Sequence, residues 1–158
     1  SLEWLFDDGT SSKKPTVLRT FAKPGRYSEV LRVTDDDGNV AYDFAVVIVL
    51  DREHPERKIP SIHPNYYPTR NIHPGDPVTF KVRTFNTTAG NEVWDFGDGT
   101  PPVQVQSDGN AVKLSPNGYA VTTHRFRKPG NYVVRVTRTN EHGVSAMGHL
   151  HVQVEAKQ

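Results

Sequence analysis

Cysteine is absent from the 158 residues, which excludes disulfides, thiolate nucleophiles and cysteine-based zinc or iron–sulfur centres. It does not fix the compartment, since exported bacterial domains often lack cysteine as well. No apolar run approaches the roughly 20 residues of a membrane-spanning helix. The longest, Phe44 to Leu50, is strand-sized. Neither sign of charge dominates: 19 basic side chains face 18 acidic ones, and the net charge is +1. Residues 1–50 carry −2, residues 51–76 carry 0 and residues 77–158 carry +3, so there is none of the dense basic field that drives nucleic-acid affinity. A nucleophile elbow, a phosphate-binding loop and an HExxH pair are all missing, and an enzyme reading fares poorly without them. No amphipathic helical period stands out either.

What is present is a repeat. Trp4-Leu5-Phe6-Asp7-Asp8-Gly9-Thr10 returns 90 residues later as Trp94-Asp95-Phe96-Gly97-Asp98-Gly99-Thr100. Phe21-Ala22-Lys23-Pro24-Gly25-Arg26-Tyr27 returns 105 residues later as Phe126-Arg127-Lys128-Pro129-Gly130-Asn131-Tyr132, and Gly38 and Gly143 keep that offset. Three anchors in the same order identify two copies of one unit, with 15 extra residues between the motifs of the second.

Each copy reads as β. Tyr27, Glu29, Leu31 and Val33 alternate with their neighbours, as do Tyr132, Val134 and Val136, and a period of two is that of a half-buried strand. Asp36-Asp37-Gly38 and Glu141-His142-Gly143 are turns that lead into a further strand. Its inward positions are Ala45, Val47 and Val49 in one copy and Leu150, Val152 and Val154 in the other. Short strands punctuated by Gly and Pro predict an all-β fold, a β-sandwich in tandem.

The domain assignment follows: residues 1–50 form the first copy, 51–61 a charged, proline-bearing linker, and 62–158 the second copy, with a hairpin insertion at about 103–118. Within the second copy, Val78, Phe80 and Val82 mark a strand ahead of Trp94, and Ile62 to Tyr67 an edge strand. The first copy has three residues ahead of Trp4, and is expected to lack its first two strands as part of something longer. In both copies Trp4, Trp94, Phe96, Tyr27, Tyr132 and His124 are read as structural: aromatic pegs and bends that close a small core.

The series W-x-F-G-D-G-T, then H-x-F-x-x-P-G-x-Y, then a polar Gly turn resembles the polycystic kidney disease (PKD) domain family. His124-Arg125-Phe126 with Pro129-Gly130-Asn131-Tyr132 matches the second element closely, whereas the first copy departs from the pattern at Leu5, Asp7 and Arg19. The resemblance implies an immunoglobulin-like sandwich found outside cells, an accessory module of secreted hydrolases and surface proteins that is not catalytic. Its expected partners are other domains of a parent protein and extracellular polysaccharide or fibrous protein, with no nucleic acid and no membrane insertion. The expected task is spacing or anchoring, and the alternative is a structural or assembly domain for protein–protein contact.

No cofactor is required on this reading, and calcium is the one candidate. Similar modules hold it near the tryptophan turn, where Asp95 and Asp98, with Asn140 or Glu141, supply hard oxygen ligands. Asp7, Asp8 and Asp35 to Asp37 are the first copy's counterparts. The competing reading is that these carboxylates cap backbone amides in turns. His149 and His151 share one strand face but lack a third ligand, and His63 and His73 beside prolines show no ligand pattern.

Two surfaces are candidates for recognition. Tyr66 and Tyr67 lie between Pro64 and Pro68 in extended chain, where an aromatic face can stack on a sugar ring, unless both pack at the junction of the copies. In the last strand of the first copy, Phe44, Val46 and Ile48 point outward where the second copy has His149, His151 and Gln153. Such an apolar outer face is expected to be an interface, covered by another domain, another chain or an element lost with the missing strands.

Overall fold

In the computed structural model, which describes residues 1–109 and 118–157, every regular element is a strand. The first copy contributes β1 (Leu2–Leu5), β2 (Ser11–Ser12), β3 (Gly25–Thr34) and β4 (Val40–Val49). The second contributes β5 (Ser61–Tyr67), β6 (Val78–Phe85), β7 (Glu92–Asp95), β8 (Val103–Val105), β9 (Ala120–His124), β10 (Gly130–Thr139) and β11 (Ser145–Val154).

The second copy is a two-layer sandwich. One layer is the three-stranded sheet β5-β6-β9, and the other is the run β11-β10-β7-β8. Alternation explains why these segments are strands. Val78, Phe80 and Val82 on β6, Val134 and Val136 on β10, and Val152 and Val154 on β11 project into one core around Trp94, Phe96 and Phe126. Phe80 meets both Trp94 and Phe96, at ring centroid distances of 5.3 and 5.0 Å. Burying each of these large side chains contributes about 2–3 kcal/mol, so the aromatic centre carries much of the stability.

The first copy repeats one layer of that sandwich. Its strand order, β4-β3-β1-β2, is that of β11-β10-β7-β8, and antiparallel pairing runs from Gly25↔Val49 to Thr34↔Val40. Among the described residues before the linker there is no counterpart of β5, β6 or β9. Residues 15–19 align with β9 at the 105-residue offset, yet they form no strand, and Leu18 is 95% exposed. The reason lies in pairing: β9 is laddered along β6 from Val78↔His124 to Val82↔Ala120, and the first copy offers no such edge. The sandwich of the first copy is therefore partial. Its inward side chains Trp4, Leu31, Val47 and Val49 are only half-buried.

The copies are joined. The start of β11 pairs in parallel with the start of β3, Ser145↔Gly25 and Ala146↔Arg26, so one eight-stranded sheet runs through both. The linker is folded on itself at its start and tied to the second copy near its end. Asp51 Oδ1 accepts from the amides of Glu53 and His54, and Asn86 Nδ2 donates to Ile59 O at 3.2 Å.

Candidate functional site

The turn after Trp94 is built from its own side chains. Asp98 Oδ1 accepts from the Thr100 amide at 3.1 Å and from its hydroxyl at 2.6 Å, while Oδ2 meets His124 Nε2 at 2.7 Å. The His124 ring lies flat on Phe96, 3.9 Å between centroids. Burial pushes the Asp98 carboxyl up, but the bonds from Thr100 and His124 outweigh it and hold the group below its ordinary value. Asp95 Oδ1 accepts from the Gly97 amide, and its Oδ2 from Arg135 at 3.3 Å.

The first copy rebuilds this turn with different residues. Asp8 Oδ1 accepts from the Thr10 amide and hydroxyl, at 2.9 and 2.5 Å. Arg19, in the place of His124, reaches Asp8 Oδ2 at 3.0 Å and lies over the Phe6 ring at 4.0 Å. The Thr10 bonds, with Arg19 behind them, lower the Asp8 carboxyl to about 2. Arg19 also reaches Glu29 Oε1 at 3.4 Å, a carboxylate that is 3% exposed where the second copy has Val134. An imidazole is too short for that second partner.

The other anchors repeat atom for atom. Tyr27 Oη donates to Lys23 O at 2.8 Å, and Tyr132 Oη to Lys128 O at 2.8 Å. Asp35 Oδ1 accepts from the amides of Asp37 and Asn39, and Asn140 Oδ1 from those of His142 and Val144. Gly38 and Gly143 complete the two turns at φ of 85° and 74°, a region that glycine enters without strain.

The PKD domain family matches residues 65–154, more than half of the chain, and matches residues 1–49 a second time. The chain belongs to the PKD domain family. It carries two PKD repeats in tandem, all-β by structure: the second is an immunoglobulin-like β-sandwich, and the first is a partial one. PKD domains are typically extracellular, non-catalytic accessory modules.

The four oxygen donors named for calcium do not share one place. Asp95 pairs with Arg135, whereas Asn140 lies five residues further along the chain, in the turn after β10. Glu141 there accepts from Thr87 Oγ1 at 3.1 Å. Asp95 and Asp98 thus sit toward one end of the PKD sandwich and Asn140 and Glu141 at the other. No group of three or more His, Asp or Glu side chains suited to a metal occurs among the described residues. The cleft lined by Phe21, Leu50, Arg52, His54, Arg57 and His142 contains neither Asp95 nor Asp98.

The two tyrosines part company. Tyr66 turns inward, its ring against Phe80 and its hydroxyl donating to His151 O at 2.7 Å, while Tyr67 is 75% exposed. They do not form a two-ring platform. The outward stripe of β4 is divided as well. Phe44 is half-buried against His149, but Val46 and Ile48 are exposed, as is Leu50 beyond them. His63 meets Ser61 Oγ at 3.2 Å, and His73 stands 3.4 Å from Asp76. Of the insertion, Val103–Val105 pairs with β7, and the Asp108 amide donates to Gly118 O at 2.8 Å. The rest of the predicted hairpin, 110–117, lies outside the described residues.

Sequence reasoning passed over the most buried polar group of the second PKD repeat. Glu92 and Arg138 form an ion pair at 2.9 Å with neither side chain exposed. Glu92 also accepts from the Thr84 hydroxyl at 2.7 Å and from the Ser107 amide at 2.9 Å and hydroxyl, which ties the insertion to the core. Burial pushes the Glu92 carboxyl up, but the bonds from Ser107 and Thr84, with Arg138 behind them, leave it below its ordinary value. A signal existed. At the two offsets these positions correspond to Leu2 and Val33, so both members of a cross-strand pair change from apolar to charged between repeats.

Proposed function

We propose that this chain is a non-catalytic extracellular module that spaces a larger secreted or surface protein, holding its neighbours at a set distance. One observation carries this: the β3–β11 pairing that continues a single sheet through both PKD repeats. A spacer needs a fixed length, and main-chain pairing between repeats supplies it where a flexible linker would not. The motif side chains support the same reading, because Asp8, Asp98, Asp35 and Asn140 each turn an oxygen to amides of their own turn, and the second oxygens of Asp8 and Asp98 go to Arg19 and His124.

The test is solution X-ray scattering of the whole chain at neutral pH. A spacer gives one particle of fixed maximum dimension, unchanged by concentration. A broad spread of dimensions, as from two repeats moving independently, would overturn the reading.

A second reading, protein–protein contact, is favoured by Val46, Ile48 and Leu50, which are 48%, 53% and 70% exposed along one edge strand and its continuation. Sedimentation separates the two: self-association lost in Ile48→Lys supports contact. Anchoring to an insoluble polysaccharide would rest on Tyr67 alone, and retention unaffected by Tyr67→Ala removes it. Calcium stiffening would rest on Asp95 and Asp98, and a melting temperature indifferent to EGTA removes that.

A further inference from the structure

The outer face of β11 meets the outer face of β3 and β4 through two histidines. His149 Nδ1 is 2.9 Å from Ser28 Oγ, and its ring stacks on Phe44 with centroids 5.6 Å apart. His151 packs on the Tyr42 ring at 4.8 Å, while its Nε2 is held by Asn131 Oδ1 at 2.8 Å. Ser28 and Val30 beneath them are 1% and 5% exposed, so the joint is dry at its centre. The charge that acts on His149 is positive, and it is Arg135. β10 brings Arg135, directly opposite His149 and paired with Asp95 of β7. β3 carries Arg26 and Arg32 on the same face as Ser28, and Arg32 is paired with Glu3 of β1. β4 offers the Tyr42 phenol, β5 brings His63 within the field of Arg26, and β11 itself adds His151.

We propose that the joint between the two repeats is a proton-operated hinge: neutral His149 holds the first repeat against the second, and its protonation releases them. A charged imidazole there would have to be desolvated against Phe44 with Arg135 across from it, and among the described residues of the first repeat Ser28 is its only hydrogen-bond partner. Burial, and then Arg135, lower the His149 pKa to about 4, and burial lowers that of His151. The sign follows. The docked joint favours the neutral ring, so docking is fully stable above the ordinary value of 6.5 and weakens as pH falls from there toward about 4. Between pH 7.5 and 5 the undocking constant rises about 30-fold. Most carboxylates remain ionised over that range.

Hydrogen exchange of the whole chain tests this. Protection factors of the amides at 25–28 and 145–148 should fall about 30-fold between those two pH values, while those of Phe80 and Val134 hold. In His149→Gln most of the fall should vanish, leaving only the smaller share that His151 contributes. An equal fall in that variant, or none in the unaltered protein, overturns the hinge. If His149→Gln does not dock at all, the imidazole titration of the unaltered protein decides by NMR: a midpoint below about pH 5.5 supports the hinge and one above it overturns it.

Discussion

Glu92 and Arg138 stand opposite each other on β7 and β10, where the first repeat has Leu2 and Val33. Nature has thus solved one position in one fold both ways, with a buried ion pair and with an apolar pair. Removing one charge strands the other in the core. Glu92→Leu should cost about 3–5 kcal/mol, and Glu92→Leu/Arg138→Val should recover most of that, read from urea denaturation midpoints. Failure of the second change to rescue would mean that the bonds to Thr84 and Ser107, not the charge, hold the end of the sandwich. The same carboxylate sets an acid limit. Glu92 and Asp98 sit below their ordinary values of 4.5 and 3.8 in the fold, so their stabilisation is complete above those values and is lost as pH falls below them.

Turns separate into those that tolerate a side chain and those that do not. Gly97 has φ of 70°, and a Cβ there would lie 2.7 Å from Val133 O; Gly99, at 81°, has nothing within 4 Å. Gly97→Ala should therefore cost about 2–4 kcal/mol and Gly99→Ala only about 1 kcal/mol, a difference visible in thermal unfolding. Equal losses would show that the Val133 carbonyl moves aside. The first repeat has Asp7 in place of Gly97, with its amide donating to Glu29 instead. That departure, plain in the sequence, marks a turn rebuilt around Arg19 and Glu29.

The joint between repeats decides how the chain behaves as one body. Phe44 packs on His149 while Ile48, four residues on in the same strand, is 53% exposed. Phe44→Ala should loosen the joint and speed proteolysis within residues 51–60, whereas Ile48→Ala should leave cleavage unchanged. Equal cleavage of the two variants would place the joint's strength in the β3–β11 backbone pairing alone.

The strands of the second repeat were legible before any coordinates, because Val78, Phe80, Val82, Val134 and Val136 announce their buried face by period. So were the turns, since an Asp or Asn with Gly three residues on closes locally and needs no distant partner. Residues 15–19 show where local reading stops. They align with β9 and form no strand, because a ladder requires an edge that lies elsewhere. Tyr66 and Tyr67 are neighbours in extended chain, and the choice of which ring enters the core came from the pleat and from His151. By period alone His149 and His151 are outward-facing residues of one strand, since a sequence does not state which outer face will meet which. That face-to-face contact, formed between segments more than 100 residues apart, is a property of packing.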